Sequence, residues 1–352
     1  MLKRIKIINF RSIGNMDLYF DEKINNIIWK NWVWKTNIIE SISFVFLNNF
    51  LNLKIDELLK ISENNIFLEA EFINENWINS TITFSYDQNL NKKIITLNWK
   101  KTSKAIIKNN VLKVCNFYPI IMNLFYLWPK YRRDFLDEIL NNTFNDYEKI
   151  LSNYDKVLKS RNKLLKNIAE NKSNRDDIKF WDQEFIKFAS LIYKYKLDLV
   201  NFIESEIIKS KNIFLNKINK IEFIYKTKTD LKNIENSIKN YLEKNLERDI
   251  ILWKTHIWPH IDDFDILIDK KEIINFASRW EIKSIILNLK LLEIEYVKKN
   301  TLKTPILLID DFTSELDEEH SDLLLNNIDF LQTIITSIKP INKDNLNRIN
   351  II

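Results

Sequence analysis

The chain opens on a two-residue rhythm. Leu2, Ile5, Ile7 and Ile8 stand against Lys3, Arg4 and Lys6, the spacing of a half-buried strand. Asn9-Phe10-Arg11-Ser12 then turns through Gly14 and Met16 to Phe20 returns, which predicts a hairpin. A short apolar run at Ile24 to Ile28 follows, and from Asn37 onward the density of Ile38, Ile39, Ile42, Phe44, Val45 and Phe46 predicts a buried helix. Strand-like runs recur at Phe67 to Phe72, Ser80 to Tyr86 and Lys93 to Leu97, joined at Trp77 and Asn89. Asn98-Trp99-Lys100 ends that sheet as a turn.

Near Tyr118 the spacing becomes helical, first over Lys130 to Asn141 and then over Tyr147 to Ile168, with many charged residues on the open faces. A polar break at Glu170 to Asp177 leads into a long amphipathic stretch from Ile178 to about Lys220. Two antiparallel helices forming an arm fit this pattern, and so does a plain helical subdomain with solvated charged faces. Strand character resumes at Ile221 to Tyr225, followed by a helix around Ile234 to Arg248. A strand pair, Asp265 to Ile268 and Glu272 to Ile274, is expected about a turn at Asp269-Lys270. Phe276 to Glu281 opens an amphipathic helix through Tyr296. Pro305 to Ile309 is a continuous apolar strand ending in Asp310-Asp311, with a helix at Glu318 to Asn327 and a last buried strand at Thr333 to Ser337. The expectation is an α/β protein in three stretches: head residues 1–117, a helical insertion at 118–220, and the rest of the head at 221–352.

Composition changes the picture in one respect. A chain of 352 residues at the average of about 7% glycine would hold roughly 25, yet this one has a single Gly and ten Trp. Several tryptophans stand in turn contexts: Asn76-Trp77, Asn98-Trp99-Lys100 and Trp258-Pro259. Glycine would be ordinary there. The expectation is that most Trp letters stand for glycine codons, as when a stop codon reassigned to glycine is decoded by the wrong table. The abundance of Asn, Ile and Lys fits an A+T-rich genome. Trp181, in the helical stretch Phe180-Trp181-Asp182, is the expected exception. A truly Trp-rich, Gly-poor protein is the other reading.

Other bounds are broad. Hydrophobic content of 45% and charge of 29% describe a soluble globular chain long enough for a substantial core. One cysteine, Cys115, excludes a disulfide framework and a multi-cysteine zinc site and fits a reducing cytoplasm. No run is long enough for a membrane span and no signal peptide is expected. His256, His260 and His320 lack acidic or cysteine partners at metal-site spacing. The net charge of +5 mildly favours an anionic partner such as nucleic acid.

The chemistry concentrates in two places. With glycine at Trp29 and Trp34, the stretch Trp29-Lys30-Asn31-Trp32-Val33-Trp34-Lys35-Thr36 reads G-x-x-x-x-G-K-T, a phosphate-binding loop between a strand and a helix. Lys35 would reach the β- and γ-phosphates of ATP, Thr36 would ligate Mg²⁺, and the N–H groups leading to Asn37 would face the anion. Taken literally, indoles fill that hollow and the loop should not bind ATP tightly. Asp310 and Asp311 have the form of a carboxylate pair at a strand end, the first holding the Mg²⁺ shell and the second orienting or deprotonating the attacking water. Ser278-Arg279-Trp280-Glu281 is either a helix start or a second phosphate-contacting element. Ser314-Glu315-Leu316-Asp317 suits a helix N-cap.

A loop near the start, a Ser-x-Gly-Glu helix start if Trp280 is glycine, and a carboxylate strand followed by Ser-x-Leu-Asp together resemble the ATPase heads of the ABC class, and the helical insertion resembles the SMC branch. The nearer resemblance is to the RecF family of bacterial recombination mediators. It rests on Asn9-Phe10-Arg11-Ser12, the loop, Trp128-Pro129 with Arg132-Arg133-Asp134-Phe135-Leu136-Asp137, Asn153-Tyr154 with Arg161-Asn162, Phe180-Trp181-Asp182, Trp258-Pro259-His260 with Asp262-Asp263, and Leu308-Ile309-Asp310-Asp311 with Ser314-Glu315-Leu316-Asp317, in family order. That family itself tends to carry the tryptophan at 181. The resemblance implies an ABC/SMC-type P-loop ATPase head and a DNA-dependent ATPase using ATP and Mg²⁺. It further implies a homodimer that sandwiches ATP, with Ser278, Arg279, Trp280 and Glu281 of one copy, and the segment of Ser314 and Asp317, completing the site that Lys35 and Thr36 of the other begin; Arg11 would lie at the nucleotide. Such a clamp would act on single-stranded and gapped DNA with RecR, RecO and RecA as partners. Lys101, Lys104, Lys108, Lys130, Arg132 and Arg133 are the candidate DNA contacts, each also readable as solvated surface. Thr336 and Ser337 are further candidates to sense the γ-phosphate. Another SMC-like head, or a catalytically silent DNA-binding protein if the indoles are real, remain the competing readings.

Overall fold

A computed structural model describes residues 1–29, 32–48, 54–214, 220–256, 259, 261–312, 316–341 and 346–350. The chain divides into two units, residues 1–123 with 283–352 and residues 124–282.

In the first unit the opening alternation forms β1 (Leu2–Phe10) and β2 (Ile13–Tyr19), an antiparallel hairpin. The apolar run is β3 (Ile24–Ile28), and the dense apolar stretch after it is α1 (Trp32–Val45). β4 (Asn65–Ile73), β5 (Asn79–Asp87), β6 (Lys92–Leu97) and the two-residue β7 (Lys100–Lys101) extend the hairpin into a six-stranded sheet, ordered β2-β1-β4-β5-β6-β7. Two elements that the sequence pattern did not announce come next, α2 (Lys104–Asn110) and β8 (Val114–Phe117).

The second unit is mostly helical: α3 (Pro129–Thr143), α4 (Tyr147–Ala169), α5 (Ile178–Phe214) and α6 (Ile234–Leu252). α4 and α5 pack along each other, which fits both an arm and a plain helical subdomain. The insertion does not stop at residue 220. β9 (Ile221–Lys226), β10 (Asp263–Ile268) and β11 (Lys271–Glu272) form an antiparallel sheet within this same unit, which runs to Ile282. Phe264 of β10 packs on Phe125, Phe135 and Phe223, so the strands share one core with α3. α7 (Ile273–Phe276) is a single helical turn where a strand was expected.

α8 (Arg279–Thr301) begins in this unit and continues into the first. It is not amphipathic. Ile285, Ile286, Leu287, Asn288 and Leu289 are all buried, and five consecutive buried residues exceed the width of one helix face. β12 (Ile306–Ile309), α9 (Glu318–Asn327), β13 (Thr333–Ser337) and β14 (Asn347–Asn350) complete a five-stranded, all-parallel sheet ordered β14-β3-β13-β12-β8. α1 packs against both sheets of the first unit, and Ile38, Ile39, Ile42, Val45 and Phe46 join strands of both in one core. The near-continuous apolar strands suit a parallel sheet covered on its faces.

Turn geometry bears on the tryptophans. Trp77, Trp99 and Trp253 all have left-handed backbone, with φ of 60°, 65° and 53°. Residues other than Gly, Asn and Asp visit that region rarely, at about 1–2 kcal/mol each. Trp77 lies in the β4–β5 loop, where its N–H donates to the Asn74 carbonyl and the N–H of Asn74 to the Ile78 carbonyl. Asn98-Trp99 is a two-residue hairpin turn with both φ positive, the setting that favours Asn-Gly. Trp253 follows the last residue of α6, and the N–H of Lys254 returns to the carbonyl of Asp249, the helix-ending motif that prefers glycine. Trp181 lies within α5 and is half-buried, with Phe180 edge-on to it.

Candidate functional site

The parallel sheet brings the two ends of the chain together. β3 feeds α1, whose first turn carries Lys35 and Thr36, and β12 ends at Asp310 and Asp311. β13 lies between β3 and β12, so Thr336 near its C-terminal end falls between the loop and the carboxylates.

Hydrogen bonds make this one cluster. The Thr36 hydroxyl donates to Asp310 Oδ2 at 2.7 Å, and the Thr336 hydroxyl donates to Asp310 Oδ1 at 2.8 Å. The N–H of Asp311 donates to Thr336 Oγ1 at 2.9 Å. Lys35, 1% exposed, sets its ammonium 3.3 Å from Asp311 Oδ1. Asp311 itself is left-handed, with φ 50°. That bend turns its carboxylate away from the strand line and toward Lys35. Burial pushes the Asp310 carboxyl above its ordinary range, while the two hydroxyl donors pull it back. Burial thus works against the ionised form of Asp310, while the Thr36 and Thr336 hydroxyls and the nearby Lys35 ammonium work for it.

The flanks are also built. Arg11 pairs with Glu40, at 3.2 Å from Nη2 to Oε1, and burial pushes the Glu40 carboxyl up against that pairing. Asn37 Nδ2 donates to Ser12 Oγ at 2.6 Å, tying α1 to the β1–β2 turn. The Ser337 hydroxyl donates to Asn26 Oδ1 at 2.8 Å and Trp29 N–H to the Ser337 carbonyl. Glu40 and Asn26 were not singled out from sequence. Only a buried polar residue inside an apolar run, such as Asn26 in β3, could have signalled them.

Trp29 and Trp34 stack, with ring centroids 5.1 Å apart, and Trp34 also packs on the core. Trp34 lies in right-handed helix, so its backbone, unlike that of Trp77, Trp99 and Trp253, is not in the left-handed region. Trp32 and Val33 are the first residues of α1. Lys30, Asn31, Ser314, Glu315, Trp258 and His260 lie outside the described residues.

Mg²⁺ can be tested against these groups. Among the described residues no three His, Cys, Asp or Glu side chains gather at one metal site. Thr36 Oγ1 and Asp310 Oδ2 nevertheless converge as a hydroxyl and a carboxylate oxygen. That pair fits Mg²⁺, which takes one or two protein oxygens and fills its octahedron with water and phosphate.

The remaining expected residues are elsewhere. Ser278 and Glu281 form a capping box at the start of α8: Ser278 N–H donates to Glu281 Oε2 at 2.7 Å and Glu281 N–H to Ser278 Oγ at 3.2 Å. Arg279 and Trp280 follow in the first turn. Asp317 caps α9. Of the proposed DNA contacts, Lys101 and Lys104 are exposed, whereas Lys108 is buried. Lys130 pairs with Asp134. Arg132 is committed inside its own unit, Nε and Nη2 each 2.7 Å from the Asp263 carboxylate and Nη1 on the carbonyls of Leu124 and Leu127. Arg133 donates to the Asp262 carbonyl at 3.2 Å. Arg132 therefore holds β10 to α3 and offers no free fork to a phosphate.

No family model matches the chain. The DNA replication and repair protein RecF of Clostridium botulinum strain Langeland is 34% identical over 347 residues, 95% of this chain and 92% of that protein. The chain belongs to the RecF family. RecF of Ruminiclostridium cellulolyticum is 30% identical over 348 residues, 96% and 92% of the two chains. Among solved structures, the recombination mediator protein RecF-ATPrS of the RecFOR pathway matches with a TM-score of 0.89 at 28% identity, over 99% of this chain and 96% of that one. RecF-ATP of the same pathway gives 0.87 at 28% identity, over 97% and 93%. The fold is that of an ABC/SMC-type P-loop ATPase head with an inserted helical unit, as in RecF. No helix among the described residues is long and apolar enough to cross a membrane.

Proposed function

We propose that this chain is an ATP-dependent, DNA-binding recombination mediator whose natural residues at 29, 32 and 34 are glycine. The observation that carries the reading is the cluster of Lys35, Thr36, Asp310, Asp311 and Thr336, assembled from opposite ends of the chain on a RecF fold. Solved relatives in that fold are described with ATP and with an ATP analogue. Without side chains at 29, 32 and 34, the N–H groups opening α1 face an anion directly.

Lys35 then turns from Asp311 to the phosphate oxygens, and Asp311 becomes free to orient and deprotonate the attacking water. Thr36 and Asp310 are the residues that would hold Mg²⁺, which would supply positive charge to offset that developing on the phosphates. Thr336, already hydrogen-bonded to Asp310 and Asp311, couples their positions to the C-terminal end of β13. Two copies close on ATP, with Ser278 to Glu281 of one copy capping the nucleotide bound by the other. The closed pair grips single-stranded or gapped DNA by its phosphates, with RecR, RecO and RecA as the expected partners and Lys101 and Lys104 as candidate contacts, in the cytoplasm.

ATP binding by the chain as written, compared with Trp29→Gly/Trp32→Gly/Trp34→Gly, decides the reading. Tight, Mg²⁺-dependent binding by the glycine form alone is expected. Equal absence in both defeats it, and a native polypeptide whose peptide masses carry indoles at these positions defeats the glycine assignment. If the indoles are real, a silent DNA-binding protein is the reading that remains.

A further inference from the structure

α8 and α9 are joined by a hydrogen-bonded relay that the chemistry at Asp310 and Asp311 does not use. His320, 0% exposed, lies in the first turn of α9 with Nδ1 2.8 Å from Asp317 Oδ2. Its other ring nitrogen, Nε2, is 3.0 Å from the hydroxyl of Ser284 on α8, also 0% exposed. Asp317 accepts in addition from the backbone N–H of His320 at 3.0 Å, which makes it both the cap of α9 and the anchor of the ring. The donors around it, with Lys283 nearby, hold the Asp317 carboxyl below its ordinary range in spite of its partial burial. An ionised Asp317 accepts the Nδ1 proton, leaving Nε2 to accept from Ser284.

The sequence Asp-His-Ser here is not a hydrolytic triad. Its hydroxyl is sealed in the first unit, and no substrate can reach it. What the relay joins is more telling. Asp317 ends the segment that follows the carboxylate pair of β12, and Ser284 lies on the helix whose cap is Ser278. We propose that His320 is a positioning residue that makes the N-terminal end of α9, capped by Asp317, and the helix led by Ser278 to Glu281 move as one piece. The nucleotide-capping element then follows the position of that end of α9. This role rests on the ATPase reading; the mechanical link does not.

Asn at 320 mimics Nδ1 and keeps the Asp317 arm, while the Ser284 arm is lost. In the full chain as written, Ser284→Ala and His320→Asn should each speed amide exchange both at 317–321 and at 283–287 by about fivefold, the equivalent of one lost neutral hydrogen bond. Exchange in β12 should not change. Acceleration confined to the substituted helix, or spread evenly over the unit, overturns the link. In the form with glycine at 29, 32 and 34, each variant should lower kcat by about tenfold with the ATP KM within about twofold, and the double variant should be no slower than His320→Asn alone. Multiplying losses, or an unchanged kcat in a parent that hydrolyses ATP, overturns the positioning role. A parent that binds no ATP sinks the ATPase reading instead, and the exchange result alone then decides the link.

Discussion

Trp99 shows what a side chain does at a turn that wants none. Its backbone is left-handed and its ring is 70% exposed, so removing the ring forfeits little packing. Relief of an αL strain of about 1–2 kcal/mol is set against about 0.5–1 kcal/mol for the greater freedom of glycine in the unfolded chain. Trp99→Gly and Trp77→Gly should therefore each stabilise by about 1 kcal/mol or somewhat less, read as a higher urea midpoint at unchanged slope. Trp253→Gly should gain least, because the Lys166 ammonium sits 5.1 Å from the centre of its ring and such a contact is worth about 0.5–1 kcal/mol. A lower midpoint in all three would remove the conformational case for glycine. Lys113 is a different residue-scale liability. Burial, with Lys303 and Lys108 adding to it, pushes its ammonium down from 10.5 to about 8. Between those values the unfolded chain binds more protons than the folded one, so this group's contribution to stability rises with pH across that window. Below about pH 8 the full penalty is present, on the order of 3 kcal/mol. Lys113→Met should raise stability at pH 7 and lose its advantage over the parent by pH 10.5, which urea titrations of both chains at several pH values would show.

At the scale of elements, the helical unit is pinned by one arginine. Arg161 of α4 is 0% exposed and reaches Asp182 of α5 at 2.6 Å, Asp249 of α6 at 3.1 Å and the Thr255 hydroxyl at 2.6 Å. Burial pushes the Asp182 carboxyl up even so, which shows how much the guanidinium must offset. Arg161→Ala leaves the buried Asp249 and the half-buried Asp182 without it and should cost about 3–5 kcal/mol in chemical denaturation. Arg161→Lys should recover little, because one ammonium cannot span the three partners of a planar fork. A loss under about 1 kcal/mol for the alanine variant would reduce the cluster to surface electrostatics. None of this network could be read from the chain, although Arg161-Asn162 and Phe180-Trp181-Asp182 stood out as motifs. Periodicity gives a helix its face but not its partner. The long periodic pieces were legible for the same reason: α4, α9 and β13 match their expected spans closely. α8 was misjudged as amphipathic because it is covered on most of its circumference, and the four-residue β8 and β14 are too short to show a period. Lys35, Thr36, Asp310 and Asp311 were legible because each pair is written in consecutive residues beside an apolar strand, Lys-Thr after β3 and Asp-Asp at the end of β12. The pairing of Arg11 with Glu40 and of Arg132 with Asp263 depends on which elements meet, and that is a property of the fold.

For the whole molecule the question is whether one chain holds a complete site. Lys35, Thr36 and the carboxylates lie in the first unit, whereas Ser278 to Glu281 belong to the second, where the capping box already employs Ser278 and Glu281. A two-fold pair of chains would build two equivalent composite sites, each taking Lys35 from one copy and Ser278 from the other. In the form with glycine at 29, 32 and 34, Lys35→Ala and Ser278→Arg should each abolish hydrolysis, the first with loss of ATP binding and the second without it. Mixed in equal amounts, they should recover about one quarter of the parent rate, since half of the random pairs are mixed and each mixed pair has one intact site of two. If the cap acts within its own chain, the mixture stays inactive, because every copy then lacks one half of its site. Titrating one inactive variant against the other separates these outcomes without any assumption about DNA: shared sites give a rate that peaks at equal amounts and vanishes at either end.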